Sequence, residues 1–391
     1  MKPIAIIGSG LAAYTFAREF RKLDKTTPLL IVTGDDGGFY SKPMLSNALA
    51  LGKQAQQLVS QTAEQMAAQL NANIITKIQV TAIDVNNQSI ATALGDFEFS
   101  RLILATGAQA IRLPIEGDAT QQVLSVNNLA DYAIFREQLE RAGKKSHIAI
   151  LGAGLIGCEF SDDLASAAYS VSLIDPNSLP LAAMAPEAIS MRLRDALQAK
   201  GVQLKLGTTA NKISHYGSAL KLDLANGETL IADVVLSAIG LRANISLAQA
   251  AQLQTGRGII VDAYGQTSAA NIFALGDCAQ YSLADGSQPV LPYIAPIMVA
   301  ARAIARTLTG EATAIDLKPA AVLVKTPSYP VALIPPPHAF SKTGSWKTEH
   351  SAGITTSRFF DSDDVMRGFA LAPQAAGLRN ALITELTQST A

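Results

Sequence analysis

A chain of 391 residues, about half of them apolar and only 6% aromatic, is too long for one hydrophobic core and suits two or three domains of a soluble globular protein. Its formal net charge of -1 removes the electrostatic case for a nucleic-acid partner or an anionic membrane surface, and no apolar run approaches the length needed to span a bilayer. The two cysteines, Cys158 and Cys278, stand far apart, which excludes a disulfide framework and suits a reducing cytosol; the four histidines (His147, His215, His338, His350) show no metal-ligand spacing and read as surface or loop residues.

In chain order, the first apolar run, Ile4–Ile7, is too short for the core of a signal peptide and reads as a strand. A glycine turn at Gly8–Gly10, a helix over Leu11–Lys22 and a strand over Leu29–Val32 follow. This unit closes with a strand over Leu102–Ala105 and the turn Thr106-Gly107. The segment Leu113–Asp118 (LPIEGD) reads as a crossing to a second unit, which repeats the plan. Its elements are strand Ile148–Leu151, turn Gly152–Gly154, helix Leu155–Ala167, strand Val171–Ile174, strand Val234–Ser237 and turn Ile239-Gly240. The matched endings LILATG and VLSAIG make this a repeat of whole domains. Beyond them stand the segment Thr267–Asp277 and a helix from about Pro296 to Leu308. After Pro319 come short β-rich runs broken by proline, read as a third, smaller α/β domain. The expected fold class is therefore α/β: two Rossmann-like nucleotide-binding domains on parallel sheets, plus a small C-terminal α/β domain.

Two fingerprints of one kind imply two dinucleotide sites, one able to hold a flavin and the other a nicotinamide. In the first, Gly8 permits the tight turn, Gly10 lets the backbone approach a pyrophosphate, and Ala13 replaces the third glycine. The phosphates would rest on the N–H groups opening the helix at Leu11 and Ala12. The acid expected about 20 residues on is displaced: Thr33-Gly34 stands at the strand end, and Asp35 is the candidate beside the adenosine ribose. In the second, Gly152, Gly154 and Gly157 are all present, and Asp175 closes the next strand, placed to bond both ribose hydroxyls. Residues 176–190 hold no Lys or Arg to neutralise a 2′-phosphate, which favours NADH over NADPH. Neither cysteine has a C-x-x-C partner; both read as buried packing residues, leaving no dithiol relay. Lys42, in FYSKPMLS, has a surface lysine as its bland reading, and Lys325, in VLVKTP, a strand-edge lysine guarding against pairing.

The segments IIGSGLAAY, YSKPMLS (40–46), LGAGLIGCEF (151–160), TSAANIFALGDCA (267–279) and VKTP (324–327) carry a family likeness in the expected order. The chain resembles the FAD-dependent pyridine nucleotide-disulfide oxidoreductase superfamily, and within it the bacterial rubredoxin-NAD(+) reductases. The resemblance implies an FAD-binding domain over 1–113 and 242–318, an NAD-binding domain over 114–241 and a C-terminal domain over 319–391. It implies FAD held by Gly8, Ser9, Gly10, Leu11, Ala12, Ala13, Asp35, Lys42, Val80, Ala105, Thr106, Gly107, Asp277, Ile294 and Lys325. NAD would be held by Gly152, Gly154, Leu155, Ile156, Gly157, Glu159, Asp175 and Gly240. Glu159 would stand at the nicotinamide–flavin junction, and Lys42, Glu159 and Lys325 would be the catalytic group. The implied activity is NADH-dependent reduction of FAD, with electrons passed one at a time to rubredoxin in the cytoplasm, feeding alkane hydroxylation. A ferredoxin or flavorubredoxin as acceptor stays open, as does a redox sensor without turnover. No metal, nucleic acid or membrane insertion is expected, and the oligomeric state is open.

Overall fold

The computed structural model describes residues 1–112, 114–283 and 286–389. Leu113, where the expected crossing begins and the first FAD segment ends, lies outside them. The chain forms two compact units, one from residues 1–42, 56–109 and 241–318, the other from 43–55, 110–240 and 319–391.

The first unit is built on a five-stranded parallel sheet in the order Ile272–Ala274, Arg101–Leu104, Ile4–Ile7, Leu29–Val32, Ala72–Ile75. The chain leaves Ile4–Ile7 toward one edge and later returns to its other side, so the order reverses beside that strand. That is where an open α/β sheet leaves a crevice at its carboxyl ends. Ile4–Ile7 is buried on both faces, as a central parallel strand must be. The helix Leu11–Leu23 covers one face because Ala13, Phe16, Ala17 and Phe20 recur at helical spacing and are all buried. Each large apolar side chain hidden this way stabilises the unit by roughly 1.5–3 kcal/mol. The helix Ile294–Leu308 packs against it. It starts two residues before the expected Pro296, because a proline in the first turn gives up no intrahelical hydrogen bond.

The second unit repeats the plan with a four-stranded parallel sheet ordered Gln203–Leu206, Ser170–Asp175, His147–Leu151, Val234–Ser237. Each unit also carries a three-stranded antiparallel meander, Val80–Asp84 to Gly95–Glu98 in the first and Ala210–Tyr216 to Thr229–Ala232 in the second. The repeat is thus deeper than the glycine turns. The residues after Pro319 form a five-stranded antiparallel sheet, ordered Val322–Val324, Val331–Ile334, Met366–Ala372, Ile354–Phe360, Ser345–Ser351. The helix Ala376–Ser389 closes it through Leu382 and Leu386 on Met366, Phe369 and Leu371. The expected α/β class with two Rossmann-like sheets and a small C-terminal α/β part is what the chain adopts.

Of the four histidines, His215 and His350 are exposed on strands and His338 is exposed in a turn, as a surface reading expects, while His147, on the strand His147–Leu151, departs from it. His147 is half-buried, its ring bonded to the Ser172 hydroxyl at 2.9 Å, and burial lowers its pKa. A β-strand tolerates an imidazole when its polar edge finds a partner, and nothing in spacing alone foretells that.

Candidate functional site

In the first unit three turns converge at the carboxyl ends of the central strands. Gly8 has φ +111°, and a Cβ there would sit 2.4 Å from the Ala105 carbonyl oxygen, so only glycine lets the turn pack on the neighbouring strand end. Gly10 caps the helix Leu11–Leu23; a Cβ there would meet nothing within 4 Å, no side chain caps the helix, and its first turn holds no acid. Open helix N–H groups with room in front of them suit an anionic pyrophosphate. A Cβ on Gly276 would come within 2.7 Å of the Ala12 Cβ, so the Gly276-Asp277 turn is pressed against the same helix start. Asp277 pairs with Lys42, Nζ to Oδ2 at 3.7 Å, and Lys42 opens a short 3-10 turn, Lys42–Met44. The Thr106 hydroxyl donates to the Asn244 carbonyl at 2.8 Å, and the Asn244 N–H donates to the Gly107 carbonyl at 2.9 Å, fixing the turn after Ala105. Val80 is buried at the start of the meander, and Ile294 is the exposed first residue of its helix.

Asp35 explains the displaced acid. Its Oδ1 accepts the hydroxyls of Ser9 at 2.7 Å and Thr33 at 2.8 Å, and the Gly37 N–H at 2.9 Å. The carboxylate therefore fastens the middle residue of the first fingerprint from three positions beyond the strand end at Val32.

The second unit shows the same construction by other means. A Cβ on Gly152 (φ +101°) would stand 2.7 Å from the Ala238 carbonyl oxygen, and one on Gly157 only 1.8 Å from that of Gly152. Around Gly154, the cap of the helix Leu155–Ser166, there is nothing within 4 Å. Leu155 and the exposed Ile156 open that helix, and Gly240 sits in an exposed turn at φ +113°. Asp175 accepts the Ala153 N–H on Oδ2 at 2.6 Å, while its Oδ1 accepts the Asn177 N–H and Nδ2, both at 2.8 Å. Ala153 thus receives from Asp175, through its backbone, the fastening that Ser9 receives from Asp35 through a hydroxyl.

Glu159, one turn into the helix, is fully buried. It accepts the Lys325 backbone N–H at 2.8 Å, the Lys325 ammonium at 2.8 Å and the Ser46 hydroxyl. The same ammonium donates to the Pro43 carbonyl at 2.6 Å, to Asn47 Oδ1 at 2.7 Å and to Ser46 Oγ at 3.2 Å. Lys325 is therefore no strand-edge guard: it follows the strand Val322–Val324 and its charge is absorbed by a buried carboxylate. The structure brings Glu159 and Lys325 together in the second unit and Lys42 and Asp277 together in the first. Sequence reading missed Ser46, Asn47, Asp162 and Asp163. The acids at least carried a signal, since Glu159, Asp162 and Asp163 share one helix face.

Both cysteines are unpaired and fully buried, and burial pushes their thiols above the ordinary range. Cys158 Sγ donates to the carbonyl of Ala153, in the second glycine turn, and Cys278 Sγ to that of Leu104, at the end of the strand Arg101–Leu104, each at 3.3 Å. Among the described residues no helix is long and apolar enough to cross a membrane, and no group of three or more potential ligands could hold a metal ion.

The profile of the pyridine nucleotide-disulphide oxidoreductase family matches residues 2–304, and that of the rubredoxin binding C-terminal domain matches residues 314–386. The chain is similar to the rubredoxin-NAD(+) reductase of Alcanivorax borkumensis, 42% identical over 387 residues and covering 99% of each chain. It is similar to that of Acinetobacter baylyi at 40% identity over 392 residues, covering 99% of this chain and 98% of the other. Among solved structures, that of the covalent putidaredoxin reductase–putidaredoxin complex matches with a TM-score of 0.88 at 23% identity, over 99% of this chain and 93% of that one. That last likeness is one of fold.

Proposed function

The chain belongs to the pyridine nucleotide-disulphide oxidoreductase family, and from that premise we propose that it is an NADH-dependent FAD flavoprotein reductase that passes electrons one at a time to rubredoxin. The observation that carries the reading is the pair of open glycine cradles, Gly10 and Gly154, each at an uncapped helix start where a Cβ would fill the space. FAD, when bound, would take the electron pair of one hydride and release it as two single electrons. Residues 1–113 and 242–318 hold FAD in this reading, residues 114–241 hold NAD(H), and residues 319–391 carry the surface for rubredoxin.

The chain's own contribution is binding and electrostatics. Gly8–Ala13 take the FAD pyrophosphate on the helix N–H groups, with Asp35 holding Ser9 in place. Val80, Ala105, Thr106, Gly107 and Ile294 line the rest of that cofactor. Asp277 orients the ribityl chain and pairs with Lys42, which is positioned to offset negative charge arising on the reduced ring. Gly152–Gly157 take the NADH pyrophosphate, Asp175 its ribose and Gly240 the far wall. In this reading Glu159 belongs to the nicotinamide contacts, and Lys325, whose ammonium pairs with it, belongs to the flavin contacts and supplies positive charge there. With both thiols buried and unpaired, electrons leave without a dithiol step. A cytoplasmic compartment, suited to two unpaired thiols, and alkane oxidation as the destination of the electrons belong to this proposal.

Stopped-flow mixing of the purified yellow protein with NADH, and then of the reduced form with rubredoxin, ferredoxin or flavorubredoxin, tests it. Fast reduction followed by reoxidation that saturates with rubredoxin is expected. Preference for another carrier overturns the partner, and a flavin that NADH leaves oxidised overturns the mechanism.

A further inference from the structure

The helix Leu155–Ser166 carries three buried carboxylates, Glu159, Asp162 and Asp163, at positions i, i+3 and i+4. Each turns to a different piece of the second unit. Glu159 takes Lys325 itself. Asp162 Oδ2 accepts the Ser328 N–H at 2.9 Å and its hydroxyl at 2.5 Å, holding the turn three residues after Lys325. Asp163 accepts the Leu49 N–H on Oδ2 at 3.0 Å and the Ala50 N–H on Oδ1 at 2.9 Å, holding the segment just after Ser46 and Asn47. Those two residues, with Pro43, are the remaining acceptors of the Lys325 ammonium. Both the lysine and the cage around it are therefore tied to one helix.

We propose that Asp162 and Asp163 are positioning residues for the Lys325 ammonium, one registering the loop that carries it and the other the segment that receives it. The proposal rests on the reading of Lys325 as a working group of the reductase. A lysine side chain loses considerable freedom when fixed, so its place depends on acceptors that are themselves held still. Asp163 also keeps a charge that folding alone does not ask for. Burial pushes its carboxyl up to about 6, against the pull of the two N–H groups. The ionisable groups facing it are Asp162 on the same helix, which raises it further, Lys325, which lowers it, and Tyr132 on the helix Leu129–Ala142. At neutral pH the carboxylate stays ionised despite this, with two acceptor oxygens for two backbone donors.

The test uses the full-length flavoprotein and Asp163→Asn. Asparagine offers one acceptor oxygen and turns an NH2 toward the second amide, so hydrogen exchange at Leu49 and Ala50 is expected to speed up about tenfold. The limiting rate of flavin reduction at saturating NADH is expected to fall about tenfold. NADH affinity and exchange in the strands Ile4–Ile7 and His147–Leu151 should stay unchanged. Ser328→Ala, which removes one of the two bonds to Asp162, is expected to give a smaller loss of rate with the same unchanged affinity. Faster exchange at 49–50 with an unaltered rate overturns the proposal, and so does a rate loss accompanied by faster exchange throughout the core strands. If NADH fails to reduce the wild-type flavin, the functional reading falls, and exchange at 49–50 alone then decides whether the clasp exists.

Discussion

Gly154 and Gly157 stand three residues apart in the second fingerprint, yet alanine is expected to fail at the two positions in opposite ways. At Gly154 the new methyl meets nothing within 4 Å, and the backbone (φ -74°, ψ -170°) lies in a region any residue adopts. The fold should lose only the N-cap preference of glycine over alanine, about 0.5–1 kcal/mol. The methyl occupies the space in front of the open N–H groups, however, where the NADH pyrophosphate is to rest. Losing one or two charge-assisted hydrogen bonds there costs about 1.5–3 kcal/mol, a weakening of roughly 10- to 100-fold in NADH affinity. At Gly157 the methyl would lie 1.8 Å from the Gly152 carbonyl oxygen, which is backbone and cannot swing aside. The helix must then shift bodily, at about 1–3 kcal/mol or more, and the melting temperature should fall by several degrees before NADH is added. Thermal melts without nucleotide and equilibrium titration with NADH separate the two effects. Wild-type NADH affinity in Gly154→Ala would refute the reasoning, because the open space would then not be a phosphate cradle.

Lys325→Met strands Glu159 without its counter-charge, and because the lysine is 35% exposed the expected loss is about 2–3 kcal/mol, below the usual range for a wholly buried pair. The double variant with Glu159→Gln should recover much of this in denaturant titrations while still reducing its flavin slowly. Asp175→Ala frees the Ala153 N–H and empties the ribose position; kcat/KM for NADH should fall at least about tenfold while that for NADPH falls less, so steady-state assays with both nucleotides show the preference narrowing. The Asp163 carboxyl titrates near 6 when folded against an ordinary value of 3.8, so the folded state binds the extra proton between those values. Its contribution to stability is thus greatest at low pH and declines as pH rises through 6, by on the order of 2–3 kcal/mol. Asp163→Asn should remove that decline from a pH series of denaturant melts. Alkylating agents should leave NADH-driven flavin reduction unchanged, since both thiols are buried and their pKa values raised; rapid inactivation with one thiol modified would contradict the burial.

What the sequence revealed, and what it hid, follows from how each feature is encoded. Three strands of each parallel sheet and both fingerprint helices were legible to within about two residues because burial on both faces writes itself as an apolar run. Ala72–Ile75, Gln203–Leu206 and Ile272–Ala274, by contrast, were not read as strands; of the turn glycines, Gly8, Gly152 and Gly157 are those that a Cβ would obstruct. Asp175 was legible as a position because it closes its strand, where it accepts the Ala153 N–H. Asp35 was harder to place, since it reaches back through Thr33 and Ser9 from beyond the strand end, and no spacing rule anticipates a hydroxyl relay. Lys325 is the sharper case. As a charge ending an apolar strand it invites an edge-protection reading, and only its pairing with Glu159, 166 residues earlier, overturns that. The carboxylates of the helix Leu155–Ser166 look like a solvated stripe in sequence, yet all three are buried because each receives donors from segments remote in the chain. A buried acid on a helix is costly without such donors. A run E-x-x-D-D just inside a nucleotide-binding helix therefore carries information of its own: it implies that separate segments return to that helix to satisfy it. In this chain one of those segments brings the lysine and the other brings its acceptors.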